Sequence, residues 1–397
     1  MRSPFGLFPR SIFRGLSLSL LVAFLLVGTP TLAAGGGIGL PTGKAYVVNR
    51  DSNDVAVIDL ENLQVVGRFA AGITPHQLAL SPDGRYAYTT GQKSDTLTIT
   101  RLADLKTLAT LRLGRSPEHL AVSPDGRWVY VANFEGGSLS VVDGQRFVEA
   151  KRIGGFFQPH NIAFSPDGRE AYVANLGSFH VSVVDVGTRT VRAALPAASP
   201  SRVAALGSLR ELNGVVSLTL TPDGRLGLAA HGSAGELALI DTRGDKVLRR
   251  LPLGGEPWRA YIGERGRLAL VPNLADRTVA VIDLRKGEIA ARLPGLREMT
   301  GVNFALDDRV AYVVGRGEDK VRVLDLVRMR VLKDLPAGRS PETAATTPDG
   351  RFVVVAASGS HEVLIYDAAR GALHARVGGV GRGPWGVYIH GGGNYCH

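Results

Sequence analysis

An all-β chain folded as an eight-bladed β-propeller is what this sequence predicts, on three observations. First, a turn recurs: Ser81-Pro82-Asp83-Gly84 returns as Ser123-Pro124-Asp125-Gly126, Ser165-Pro166-Asp167-Gly168, Thr221-Pro222-Asp223-Gly224 and Thr347-Pro348-Asp349-Gly350. Degenerate copies stand at Glu264-Arg265-Gly266 and Asp307-Asp308, so the turn falls at 84, 126, 168, 224, 266, 308 and 350, spaced by 42, 42, 56, 42, 42 and 42 residues. A period near 40 with several short strands per unit is the mark of a propeller. Second, one strand per unit ends on an aspartate, at Asp59, Asp143, Asp185, Asp241, Asp283, Asp325 and Asp367, and an eighth copy, 96–102, carries Arg101 in that slot. Third, the two ends complement each other, as set out below.

The chain opens with Arg2, Arg10 and Arg14, a short apolar run from Leu16 to Val27, and Thr31-Leu32-Ala33. That pattern reads as a secretory signal peptide over residues 1–34, with an apolar run short of the roughly 20 residues of a membrane span. The expected address is periplasmic or secreted. Cys396 is the one cysteine, so an internal disulfide is impossible. The formal charge of +10 falls to +7 without the leader arginines, and the charges are scattered. With no basic run interleaved with aromatics, nucleic acid is not an expected partner.

Each repeat then reads alike. An apolar strand leads into the Pro-Asp-Gly turn, where Pro fixes φ, Asp bonds its own backbone and Gly takes the left-handed corner. A strand such as Ala171-Tyr172-Val173-Ala174-Asn175 follows, then a polar loop, then Val181-Ser182-Val183-Val184-Asp185, then a weaker amphipathic strand. Val, Ile and Tyr dominate, as suits a sheet covered on both faces. Gly43 to Asn49 is a second strand lacking a first, and Pro384 to His390 is a first strand lacking a second. Pairing them closes the ring and removes the open sheet edges. Residues 35–397 therefore form one domain, expected as a monomer. An insertion at about 197–214 breaks the period, and Ser201 to Leu212 suits a short helix capped by Ser201.

In such a ring, the connection into each innermost strand and the loop between the second and third strands open on one rim. The residue after the leading proline is His76, Glu118, His160, Trp258, Glu342 or Trp385, and the next position adds Gln77, His119, Asn161 and Arg259. Second-to-third-strand loops add His180, His231 and His361, so six of nine histidines are expected on this rim. Imidazole suits zinc, copper and iron, and a carboxylate completes such a site. The metal candidates are His76, Glu118, His160 and His231. No Gly-x-Ser-x-Gly, His-Glu-x-x-His, phosphate loop or Cys-x-x-Cys is present, and no catalytic residue is assigned. Cys396-His397, beyond a glycine hinge, should emerge at the opposite face.

Gly-x-x-Pro, Leu78-Ala79-Leu80-Ser81-Pro82-Asp83-Gly84, Ala171 to Asn175 and Val181 to Asp185 together resemble the YVTN-type β-propeller repeat over residues 43–390. The eight-unit count is similar to the haem d1 domain of cytochrome cd1 nitrite reductase and its periplasmic accessory propellers. The chain departs from cytochrome cd1 in lacking any Cys-x-x-Cys-His attachment site for c-type haem. The resemblance implies a large, flat, carboxylated tetrapyrrole such as haem d1, for which Arg115, His119, Arg339, Arg382, Trp258 and Trp385 are the candidate contacts. The reading favoured is an exported binding or accessory propeller, holding a metal ion, a d1-type haem or a periplasmic redox or envelope protein. The alternatives are a haem- or metal-dependent oxidoreductase, a lactonase-like hydrolase, or an envelope scaffold.

Overall fold

Eight antiparallel sheets stand in a ring in the computed structural model, which describes residues 43–201 and 214–394. The described residues fall within one unit, Leu40–His397. Blades are numbered in chain order. Blade 1 holds Lys44–Asn49, Asp54–Asp59 and Gln64–Ala70; blade 2 runs from Pro75–Leu80 to Lys106–Arg112; and blade 3 from Pro117–Val122 to Val148–Gly154. Blade 4 runs from Pro159–Phe164 to Thr190–Pro196, blade 5 from Val215–Leu220 to Lys246–Pro252, and blade 6 from Tyr261–Ile262 to Glu288–Pro294. Blade 7 spans Met299–Ala305 to Arg330–Pro336, and blade 8 Pro341–Thr346 to Ala372–Val377. The leader expected over 1–34, insertion residues 202–213 and the terminal Cys396-His397 lie outside the described residues. Among the described residues, no helix is long and apolar enough to cross a membrane.

The ring closes as its ends require. Pro384–Ile389 pairs antiparallel with Lys44–Asn49, with Tyr46 opposite Tyr388 and Val47 opposite Val387, and becomes the innermost strand of blade 1. Four residues on, Gly393–Asn394 pairs with Ala345 and Thr346 of blade 8, at the end of the channel away from Trp385.

Local chemistry shapes each blade. In the Pro-Asp-Gly turns the Ser or Thr hydroxyl donates to the aspartate, which also accepts the N–H two residues on, as when Asp167 Oδ1 takes Ser165 Oγ–H at 2.6 Å and Arg169 N–H at 3.1 Å. Gly168 sits at φ +69°. The aspartates ending third strands cap the next turn: Asp143 Oδ1 accepts the N–H groups of Gln145 and Arg146, both at 2.9 Å. Seven of these slots are therefore structural, and at the eighth Arg101 pairs instead with Asp104 at 2.7 Å. The apolar core is not a ball but a circle of seams, one cluster between each pair of neighbouring blades. Tyr88, Val129 and Val131 fill the seam between blades 2 and 3, and Val47, Phe352 and Val387 the one between blades 1 and 8.

One irregularity positions the site. After its leading proline, the innermost strand carries an extra residue. Pro117 faces Asn133 and Leu120 faces Val131, so three steps on one strand match two on the other. The same slip occurs in blades 2, 4 and 8. A bulge of this kind suspends the strict alternation of side chains and re-aims them. In blade 6 the pairing is interrupted: a bridge joins Pro257 to Asn273, Trp258 N–H reaches the Pro272 carbonyl at 3.0 Å, and regular pairing resumes only at Tyr261.

Candidate functional site

The bulge brings two sequence neighbours to one place. Ligand atoms of His76, Glu118 and His119 all lie within 4.8 Å of one another. Without the extra residue, Glu118 and His119 would face opposite sides of the strand. At the position of His119, other blades carry a latch to the next blade's backbone. Gln77 Oε1 accepts Leu120 N–H at 2.7 Å, and Asn161 Oδ1 accepts Leu218 N–H at 3.0 Å. In blade 3 the imidazole instead reaches sideways, its Nε2 standing 2.9 Å from Nε2 of His160. His119 stacks edge-on between His76 and His160, with ring centroids 5.0 Å and 4.0 Å away.

Protonation in this row follows from its neighbours. The Val216 carbonyl, 2.8 Å from His160 Nδ1, can only accept, so that nitrogen carries the hydrogen. A neutral His160 then presents a lone pair at Nε2, and His119 Nε2–H donates to it. Burial drives His160 down to about 4, against the Val216 carbonyl, with the Arg259 charge adding to the fall. Burial also takes His76 down to about 3, helped by charge on His160 and Arg50. Both rings are neutral at pH 7, the lone pair of His160 being taken by His119 and that of His76 being available. Burial raises Glu118 to about 7, although Gln92 Nε2 and Ser116 Oγ donate to its Oε1 at 2.7 and 3.4 Å.

A cavity of about 600 Å³ opens beside this row, across the mouth of the channel. His76 and His160 form one wall, Trp258 and Trp385 also line it, and Arg277, Arg297 and Arg316 stand opposite on blades 6 and 7 with Glu256 and Glu298, the latter 3.0 Å from Arg316. Arg50 rests on Trp385, 4.7 Å from the ring centroid. Glu342, buried, accepts from Ser358 Oγ at 2.8 Å and faces Arg316 at 3.4 Å. Burial still holds its carboxyl above the ordinary range.

The sequence-derived residues distribute unevenly. His76, Glu118, His119 and His160 stand together, and Trp258 and Trp385 line the cavity. His231 is elsewhere: fully buried in blade 5, it stacks on Phe179 at 5.3 Å and its Nδ1 accepts Ala234 N–H at 3.2 Å. Arg115, Arg339 and Arg382 are exposed on the rim outside the cavity lining. The guanidinium groups of Arg115 and Arg382 rest on the carbonyls of Glu135 and Asp51, at 3.1 and 3.4 Å. Of the other rim histidines, His180 is exposed, and His361 Nδ1 accepts Gly383 N–H at 3.1 Å.

Sequence reasoning missed Arg50, Gln92, Phe134, Leu274, Arg316 and Ser358. Each directly follows its blade's second strand, and each meets the site: Gln92 on Glu118, Phe134 6.4 Å from His160, Arg316 and Ser358 on Glu342. They recur at intervals of 42 residues on either side of the insertion, so the period that exposes the leading-proline column carries this second column too.

Fold and site together define a closed eight-bladed propeller with a histidine-, tryptophan- and arginine-lined channel mouth. The chain belongs to the Cytochrome D1 heme domain family, which matches residues 44–155 and 263–381. Among solved structures it is similar to a dihydro-heme d1 dehydrogenase, NirN, in complex with DHE, at 21% identity and TM-score 0.74, covering 88% of this chain and 76% of that one. It is also similar to Kuenenia stuttgartiensis hydrazine synthase, at 24% identity and TM-score 0.58, covering 74% and 96% of the two chains. The β-propeller domain of Myceliophteria thermophila Cps50 (Swd1) aligns at 14% identity and TM-score 0.58 over 74% and 97%. At these identities the structural likenesses speak for the fold alone. No curated protein matches the chain.

Proposed function

We propose that this protein is an exported binding or accessory propeller that holds a d1-type tetrapyrrole at the channel mouth. One observation carries the reading: the cavity pairs neutral imidazoles on one wall with guanidinium groups on the other and tryptophan faces between them. Its volume is in the range of small-molecule cofactor sites. The residues fit such a ring. His76 Nδ1 is buried without a hydrogen-bond partner among the described residues, which suits an imidazole awaiting a metal. His76 would supply a nitrogen donor with His119 and His160 beside it, Trp258 and Trp385 would pack against the ring, and Arg277, Arg297 and Arg316 would face its carboxylates. When bound, the iron macrocycle would supply any redox chemistry. The chain's own residues bind and orient it, keep the facing imidazoles unprotonated and narrow its access to water. Membership of the Cytochrome D1 heme domain family supports the ligand class, and the leader read over residues 1–34 supports export.

The test is an absorbance titration of purified full-length protein with haem d1, beside iron protoporphyrin IX. One equivalent of haem d1 should shift the visible bands, and Arg316→Ala and Trp258→Ala should each weaken binding by about 10-fold or more. Absence of a saturable change with haem d1 would defeat the reading.

A further inference from the structure

Arg316 reaches the cavity already flanked by two carboxylates, and they differ in how they can respond to a third. Its Nε donates to Glu298 Oε2 at 3.0 Å and its Nη1 faces Glu342 Oε2 at 3.4 Å, while Nη2 has no hydrogen-bond partner among the described residues. We propose that Glu342 takes up a proton when a carboxylate-bearing ligand engages Arg316, and so compensates the charge that the ligand brings to the channel mouth. The inference deepens the tetrapyrrole reading and rests on it only for the identity of the anion.

Three features carry it. The first is the fork of Arg316. A carboxylate held by two parallel N–H groups needs Nη2 together with Nε or Nη1, and both of those already face a glutamate. A ligand carboxylate at this position therefore has to share or displace a partner.

The second is the difference in burial. The Glu298 side chain is 54% exposed, so it can swing into water and stay ionised. That of Glu342 is 5% exposed and has no such escape. A buried carboxylate that loses its counter-charge takes up a proton rather than remain ionised. The third is the surroundings of Glu342. Ser358 Oγ donates to its Oε1 at 2.8 Å, which leaves Oε2 toward Arg316. Arg316 from blade 7 and Arg50 from blade 1 are the cations that act on it, and Glu298 stands on the far side of Arg316. Burial already outweighs both cations in the empty protein.

One negative charge then enters with the ligand and one positive charge with the proton, taken from solvent, so the net charge of the wall is unchanged. The occupied state holds this proton more tightly than the empty one. Affinity is therefore highest at low pH, and it falls by up to about 10-fold per pH unit as pH rises through the range in which the occupied protein releases the proton.

The experiment binds haem d1 to purified full-length protein by calorimetry at pH 7 in two buffers of different ionisation heat, which counts the protons taken up, and repeats the absorbance titration from pH 6 to pH 9. Wild type should take up about one proton more per haem than Glu342→Gln, and its affinity should fall more steeply with pH. Glu342→Gln, which keeps an acceptor for Ser358, should bind at pH 9 at least as tightly as wild type, whereas loss of a merely structural group would weaken binding at every pH. Glu298→Gln should retain the uptake. A second arm needs no ligand: at pH 7 the infrared spectrum of Arg316→Gln should show a protonated-carboxyl band that Arg316→Gln/Glu342→Gln lacks. The proposal is overturned if haem d1 binds with the same proton uptake in wild type and Glu342→Gln, or if that band fails to appear. Absence of a saturable change with haem d1 defeats the tetrapyrrole reading instead, and the infrared arm then decides the role of Glu342 by itself.

Discussion

His231 should make the propeller acid-sensitive in a way that one substitution removes. Its side chain is fully buried, and burial brings it down to about 4 from an ordinary 6.5. The folded state therefore resists a proton that the unfolded chain accepts. A group depressed in this way contributes its stability in full above pH 6.5, and loses it as pH falls toward 4. Between pH 7 and pH 5, linkage puts the loss at about 2 kcal/mol for this residue. The informative perturbation is His231→Asn, because the repeat itself places asparagine in this slot at Asn49, Asn133, Asn175 and Asn273, each closing a second strand. The variant gives up the ring stacked on Phe179, so its absolute stability should drop. The quantity to measure is the double difference. Urea unfolding of both proteins at pH 7 and pH 5 should show wild type losing about 2 kcal/mol more than the variant. His76 and His160 titrate in both and cancel. Parallel losses in the two proteins would refute the reasoning.

Further expectations concern the frame. Gly168 and Gly224 occupy equivalent turns at φ +69° and +68°, but an added Cβ would lie 3.4 Å from Pro124 Cδ at the first and 2.2 Å from Pro166 Cδ at the second. Gly168→Ala should cost about 1–2 kcal/mol from backbone conformation alone, whereas Gly224→Ala should cost about 1–3 kcal/mol more through the clash, both read as urea midpoints. Asp143→Ala, which strips two N–H groups of their acceptor, should cost about 1–2 kcal/mol by the same assay. Termination after Gly383 should abolish the folded monomer, seen as loss of a cooperative transition and as aggregation in sizing chromatography, because two blade edges would be left unpaired.

Much of this architecture was legible because its determinants are local and repeated. The Pro-Asp-Gly turns, the capping aspartates and the unmatched strands at the two ends each announce themselves over four to seven residues, and the eighth blade showed even with Arg101 in the aspartate slot. The leading-proline column was visible for the same reason, and it placed His76, Glu118, His160, Trp258 and Trp385 on one rim. Geometry within the rim was not legible. Strand alternation would send Glu118 and His119 to opposite faces, and only the bulge after Pro117 unites them. Arg115, Arg339 and Arg382 share with Arg297 the slot two residues before an innermost strand, yet Arg297 lines the cavity and the other three do not. Arg50 and Arg316, one strand further along, point toward Trp385 and Glu342 instead. His231 shares a histidine's chemistry with the cluster, but its slot is the asparagine slot, which is packed between blades.

The closing strand, Pro384–Ile389, has a consequence for the order in which the molecule can be made. Blade 1 receives three of its strands among the first residues synthesised and its innermost one among the last. Until that segment leaves the ribosome, Lys44–Asn49 offers a bare hydrogen-bonding edge and Trp385 is missing from the cavity. The ring thus cannot lock, nor the cavity be completed, on a partly synthesised chain.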